Sequence, residues 1–305
     1  MSSPIEVIIN AGSGSVSAEE TKRLIEEQFE AHGVDANIHM ANGGGEIVKF
    51  AEKAAEGTAE IIVAGGGDGT ISAVAAVVME ARKILGVLPL GTLNNFSKDL
   101  QIPQDLTEAV RIILENNVIE IDVGEVNDRI FINNSSIGLY PRIVRKRVKQ
   151  QHRLGRGKWA AAFWAAWRVI RLAPLLRVKL DLGDRQFRRK TPFVFVGNNE
   201  YEMDFFNIGR RSTLDNGKLS VYFLKRGGQW GLIMLIVRTL FGRLRQAKDF
   251  EEVSTESITI ETRKKRLLVA FDGEIATMQT PLKYKVHPRA LKVIAPAPLE
   301  EDTEE

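Results

Sequence analysis

The run Ile61-Ile62-Val63-Ala64-Gly65-Gly66-Gly67-Asp68-Gly69-Thr70 joins a β-branched, strand-forming stretch to a glycine-rich turn that opens a helical pattern. Glycine lets backbone amides approach an anion without a Cβ in the way, and a helix start adds about half a positive charge, so the turn has the makings of a phosphate cradle. It matches neither G-x-x-x-x-G-K-[ST] nor G-x-G-x-x-G. Glycines alone would describe an ordinary strand-to-helix turn. Asp68 changes the reading, because a carboxylate beside phosphate is repulsive unless a cation lies between them. Two further turns follow strand-like runs in the same way: Asn10-Ala11-Gly12-Ser13-Gly14, and Leu88-Pro89-Leu90-Gly91-Thr92-Leu93-Asn94-Asn95-Phe96. Loops at the carboxyl ends of neighbouring parallel strands converge on the crevice where open α/β sheets bind ligands.

The elements that must carry these loops alternate between strand and helix patterns, the signature of a parallel α/β sheet. Strands are expected near Glu6 to Asn10, Asp35 to Met40, Ile61 to Ala64 and Gly86 to Pro89. A helix opens at Ser17-Ala18-Glu19-Glu20 as a capping box, with Leu24, Ile25 and Phe29 as its core stripe. Others should run from about Glu46 to Glu56, Thr70 to Lys83 and Leu106 to Asn116. After Asp122 the pattern turns to strands and hairpins: Ile130 to Asn133, Val178 to Leu182, Pro192 to Gly197, Leu219 to Leu224, Ser257 to Glu261 and Leu267 to Phe271. The expected organisation is an α/β nucleotide-binding domain over 1–123, a β-rich domain over 124–289, a strand at about 290–296 returning to the first domain, and a disordered acidic tail at 299–305.

With 305 residues, 44% hydrophobic and 27% charged, the chain has enough material for two cores and no sign of wholesale disorder. The absence of cysteine removes disulfides, zinc-thiolate sites and thiol catalysis, and fits a reducing compartment, so a metal here must be held by oxygen. No signal peptide pattern and no run of ~20 apolar residues is present, which points to a cytoplasmic protein rather than an exported or membrane-spanning one. From Arg129 to Leu180 there are thirteen Lys and Arg and no acid, so a basic surface facing something anionic is expected.

Taken together, the motifs resemble the diacylglycerol kinase catalytic-domain family, shared with bacterial lipid kinases and sphingosine kinases and more distantly with NAD kinases. The matching elements are Asn10 to Gly14, Gly66 to Thr70, Leu88 to Phe96, Ile121 to Gly124 and Asp272-Gly273-Glu274, in family order along the whole chain. The resemblance implies an ATP-binding α/β domain and a lipid-presenting β-sandwich, with the active site in an interdomain cleft. It makes Glu274 the base that accepts the lipid hydroxyl proton, with Asp68 and Asp272 as further catalytic candidates. ATP would lie against Asn10, Ser13, Gly14, Gly66, Gly67, Gly69, Thr70, Gly91, Thr92, Asn94 and Asn95, and Mg²⁺ would involve Asp68, Asp122 and Asp215. The chain departs from the family at Asn95, where many members have aspartate, at Ala41, where a threonine is common, and at Asn216, which precedes Gly217 in the turn that often binds metal.

The stretch Arg142 to Lys158 carries eight Lys or Arg and is followed by Trp159, Phe163, Trp164 and Trp167, with Ala160, Phe163, Trp164 and Trp167 spaced along one helical face. That composition suits an anionic membrane interface, and equally an aromatic face packed on the sandwich beside a solvated basic loop. The helical pattern Gln229 to Gln246 reads first as core packing, with the lining of a lipid tunnel as the alternative. Three functions stay open on these residues: a peripherally membrane-associated lipid kinase, a kinase of a soluble substrate such as NAD, and a non-catalytic lipid or nucleotide sensor. Nucleic acid is not an expected partner, since no reader motif accompanies the basic stretch.

Overall fold

Val7, Ile8 and Ile9 are buried in succession, the mark of a strand covered on both faces rather than one. They belong to β1 (Ile5–Asn10), which with β2 (Ala36–Ala41), β3 (Ile61–Gly66) and β4 (Ile84–Pro89) forms a parallel sheet in the order β2-β1-β3-β4. The computed structural model describes residues 4–13, 17–139, 141, 175–183, 185–204, 207–211, 213–224 and 250–297. Gly14, the basic stretch Arg142 to Lys158, the helical patterns Lys158 to Leu172 and Gln229 to Gln246, and the acidic tail lie outside these residues. The chain divides into two compact units, residues 1–121 with 289–305, and residues 122–288.

In the first unit, parallel pairing forces a helical crossover between successive strands, supplied by α1 (Ala18–Ala31), α2 (Gly44–Glu56) and α3 (Asp68–Glu80). Ser17 caps α1, its hydroxyl accepting from the Glu20 amide at 3.2 Å. The buried stripe of α1 is Thr21, Ile25 and Phe29, four residues apart, while Leu24 is 37% exposed. The expected stripe holds at Ile25 and Phe29 and fails at Leu24: a spacing of four keeps Thr21 beneath Ile25, and Leu24 falls beside it. Two shorter helices follow β4, α4 (Asn95–Asp99) and α5 (Leu106–Glu115). The end of a long last strand, through Lys292 and Val293, pairs in parallel with β4.

The second unit is antiparallel. β5 (Val118–Val126) enters it and turns at Asn127 and Asp128, both at positive φ, into β6 (Arg129–Phe131). β7 (Asn134–Gly138), β8 (Leu176–Asp181), β9 (Gln186–Thr191), β10 (Phe193–Asn198), β11 (Tyr201–Asp204), β12 (Asn207–Arg211) and β13 (Leu219–Leu224) follow. The last are β14 (Phe250–Thr255), β15 (Ser257–Thr262), β16 (Arg266–Phe271), β17 (Glu274–Gln279) and β18 (Leu282–Ile294). One sheet runs β14-β13-β10-β7-β16-β17, and β9, β8, β15 and the start of β18 lie together in another. Val194, Val196, Val221 and Phe223 from the first share a core with Val178, Leu180, Ile258 and Tyr284 from the second. Strands that bury alternate residues on a facing sheet make a sandwich, and each such side chain contributes roughly 1.5–3 kcal/mol on burial.

Candidate functional site

The three glycine-bearing loops stand at the carboxyl ends of β1, β3 and β4, and the structure ties them to one another. Asn10 Nδ2 donates to Thr70 Oγ1 at 3.2 Å, and Asn10 Oδ1 accepts from the Gly12 amide at 3.1 Å. Thr70 is buried, and a Cβ on Gly66 would lie 2.6 Å from its side chain. A Cβ on Gly91 would lie 2.4 Å from the Gly67 Cα, so the second and third loops touch backbone to backbone, a closeness that side chains at these positions would forbid. Gly67, Asp68 and Gly69 remain partly exposed at the start of α3, and the N-cap, Gly67, makes no side-chain cap hydrogen bond to the first turn. The leading amides of a helix have no intrahelical acceptor, so this end is open to an anion.

Asp68 joins the same assembly from the side. Its Oδ1 accepts from the Phe96 amide at 2.9 Å, and its Oδ2 from the Asn95 amide at 3.2 Å and Asn95 Nδ2 at 3.4 Å. The carboxylate thus caps α4, which begins after Asn94 in the left-handed region. Buried Asn94 donates through Nδ2 to Pro89 O and Gln104 Oε1, both at 3.1 Å, while its Oδ1 has no hydrogen-bond partner. Thr92 and Leu93 are exposed beside it. The residues named from sequence at Asn10, Ser13, Gly66 to Thr70, and Gly91 to Asn95 therefore share one neighbourhood.

In the second unit Asp272 is buried, and three backbone amides point at it: Ile132 to Oδ2 at 2.7 Å, and Asn133 and Asn134 to Oδ1 at 2.9 and 3.1 Å. Glu274, two residues on at the start of β17, is exposed. Sequence reasoning missed what holds the 132–134 segment from its other side. Buried Arg211 donates to Ile132 O at 2.6 Å and to Asn133 Oδ1 at 3.2 Å, and Asn198 Nδ2 donates to Ile132 O at 3.0 Å. The available signal was the polar run Asn133-Asn134-Ser135-Ser136 inside an otherwise apolar strand pattern.

Asp122 is fully buried, and its Oδ2 accepts from the Gly217 amide at 2.6 Å, while its own amide donates to Leu214 O at 2.8 Å. Gly217 sits at φ 70°, where glycine is unstrained. Asp122 thus underlies the turn containing Asp215, whereas Asp215 itself is exposed and Asp68 belongs to the other unit. Among the described residues no three His, Cys, Asp or Glu side chains gather as a metal cage. Glu125 lies nearby in sequence; burial pushes its carboxyl up, but hydrogen bonds from His287 at 2.7 Å and Lys285 at 3.1 Å outweigh this and hold it below the usual value. Among the described residues no helix is long and apolar enough to cross a membrane.

The diacylglycerol kinase catalytic domain model matches residues 4–126, and the model of the YegS C-terminal NAD kinase beta sandwich-like domain matches residues 139–295, more than half of the chain. A probable lipid kinase YegS-like of Klebsiella pneumoniae (strain 342) is 34% identical over 145 residues, 46% of this chain and 48% of that protein. A diacylglycerol kinase of Staphylococcus haemolyticus is 32% identical over 134 residues, 43% of this chain and 41% of that protein. The chain therefore spans about half the length of the curated relatives it matches. A Bacillus anthracis chain solved as a candidate diacylglycerol kinase superposes with a TM-score of 0.76 at 25% identity, covering 96% of this chain and 97% of that one. A diacylglycerol kinase from the same organism shares the fold, with a TM-score of 0.70 at 21% identity over the same shares of each chain.

Fold and motifs place the chain in the superfamily that unites NAD kinases with diacylglycerol kinases. Within it, the chain belongs to the diacylglycerol kinase catalytic-domain family, of the bacterial lipid kinase type.

Proposed function

We propose that the chain is an ATP-dependent lipid kinase that transfers the γ-phosphate of ATP to the hydroxyl of diacylglycerol or a related lipid at the cytoplasmic surface of a membrane. The observation that carries this reading is the interlocking of three glycine-bearing loops around Asp68, in a member of a family named for that reaction. The amides from Gly67 to Thr70 receive phosphate oxygens, and the bare backbones of Gly66 and Gly91 let Thr70 and Gly67 pack closely enough to set those amides in place. Asn10, Ser13, Gly14, Thr92, Asn94 and Asn95 line the same nucleotide. The unpaired Asn94 Oδ1 is an acceptor, suited to a hydroxyl, an amine or water rather than to phosphate.

Magnesium suits this setting, since it needs only one or two carboxylates when phosphates and water complete its shell, and Asp68 is a partly exposed carboxylate beside the phosphate cradle. Asp68 would hold it, while Asp122 and Asp215, in the second unit, are candidate ligands at their own turn. When bound, the ion neutralises charge that builds on the phosphate oxygens. In the transfer, the lipid hydroxyl oxygen bonds to the γ-phosphorus while the bond to the β,γ-bridging oxygen breaks, releasing ADP. The hydroxyl proton passes to the Glu274 carboxylate. Asp272, filled by three amides, acts as a positioning residue that fixes the turn carrying Glu274.

Incubation with γ-labelled ATP and either diacylglycerol in mixed micelles or NAD tests this directly. Label is expected in the phospholipid product. Label on NAD would assign a soluble substrate, and ATP binding without transfer to any lipid would assign a sensor.

A further inference from the structure

The outer face of β8 and β9 has a charge pattern that folding does not explain. In register, Arg177 lies directly opposite Lys190, and Lys179 opposite Arg188. Directly opposed residues of an antiparallel pair have Cβ atoms about 4.5–5.5 Å apart, and like charges there repel. β15 continues the face on the far side of β8, where Glu261 pairs with Lys179 in register and bonds it at 3.3 Å. Arg263 follows and lines the same open depression of about 610 Å³. None of Arg177, Arg188, Lys190 and Arg263 forms an ion pair with a described residue, and all four are exposed.

The inner face of β9 shows what a structural arginine looks like in this unit. Arg189 reaches Glu251 through two nitrogens at 2.8 and 3.3 Å and stacks over Phe187 at 4.9 Å. Its neighbours in the chain, Arg188 and Lys190, point the other way and find no such acid. Five cations against two carboxylates, Glu261 and Asp181 at the end of β8, leave this exposed sheet face with a net positive charge whose repulsion an external polyanion relieves.

We propose that the outer face of β8, β9 and β15 is a docking surface for an anionic phospholipid bilayer, with Arg177, Lys179, Arg188, Lys190 and Arg263 meeting its headgroups. The choice of a bilayer rests on the lipid-kinase reading, and charge complementarity supports it. Nucleic acid fits less well: among the described residues this face offers neither an aromatic side chain on which a base could stack nor a helix that could enter a groove.

The test uses the full chain without nucleotide, sedimented with phosphatidylcholine vesicles that either contain or lack phosphatidylglycerol, at low and high salt. Wild type should partition onto the phosphatidylglycerol vesicles alone, and less so as salt rises. The double substitution Arg188→Gln with Lys190→Gln should weaken partitioning roughly 25-fold, about fivefold for each charge removed. Its melting temperature should hold or rise, which separates lost docking from lost folding. Undiminished binding of this variant overturns the proposal, as does wild-type retention by duplex DNA but not by the vesicles. The kinase reading fails separately: wild type that binds anionic vesicles, with loss in the variant, supports docking even if no phosphate is transferred.

Discussion

Asp68 and Asp272 both precede a glycine, and both accept hydrogen bonds from backbone amides distant in sequence, yet their surroundings differ. Asp272 is buried, and its three amide donors come from one strand entry at 132–134. Asp68 is partly exposed, and its donors belong to a second ligand-type loop. A carboxylate wholly enclosed by amides is a fixed anchor. One that spans two loops and still meets solvent can serve a ligand as well as the fold. The same short motif therefore yields a positioning residue in one unit and a candidate participant in the other.

That contrast predicts its largest effect at Asp272. Asp272→Ala strands two buried amides and a partly buried third, and denaturant unfolding should show a loss on the order of 3–5 kcal/mol. A loss below about 1 kcal/mol would mean that the amides find other acceptors. Next comes Gly91→Ala: with its Cβ 2.4 Å from the Gly67 Cα, the two loops must part. Overpacking of this kind costs about 1–3 kcal/mol, and ATP affinity measured by calorimetry should fall about tenfold or more. Asp68→Asn keeps one acceptor oxygen, so its stability cost should stay near 1 kcal/mol while the magnesium dependence of ATP binding diminishes. If magnesium dependence were unchanged, Asp68 would be a cap for α4 and nothing more.

The smallest effect is a pH dependence. Because the folded Glu125 carboxyl titrates below its ordinary value of 4.5, its contribution is fully present above that pH and is lost as pH falls through the lower folded value. Glu125→Gln should flatten acid unfolding in that window by a few tenths of a kcal/mol, since the Lys285 partner is half exposed and screened.

The parallel sheet was legible because β1, β3 and β4 are buried on both faces, and such strands must be continuous apolar runs ended by turn residues. The loops were legible for the same reason that they work: glycine is needed where backbones meet, and Gly66, Gly67 and Gly91 stand out. Elsewhere local pattern failed. β9 contains Arg188-Arg189-Lys190 and is not among the expected strands, because only pairing with β8 makes it one. β7 carries Asn134, Ser135 and Ser136, a polar run that local pattern does not read as a strand; Ser135 Oγ meets Tyr284 at 3.1 Å, while buried Ser136 Oγ has no partner among the described residues. α4 exists because Asp68 caps it from 28 residues away. The anchoring of Asp272 was hidden for the same reason, its donors lying about 140 positions upstream.

The central claim is that Glu274 takes the proton of the attacking lipid hydroxyl, and the rate of labelled γ-phosphate transfer to diacylglycerol by Glu274→Gln tests it most directly. As an exposed residue at the start of β17, Glu274 can be changed with stability held within about 0.5 kcal/mol, so the rate reports chemistry rather than folding. The account predicts a fall of roughly 10²–10⁴-fold with ATP affinity unchanged. Transfer at the wild-type rate would contradict it.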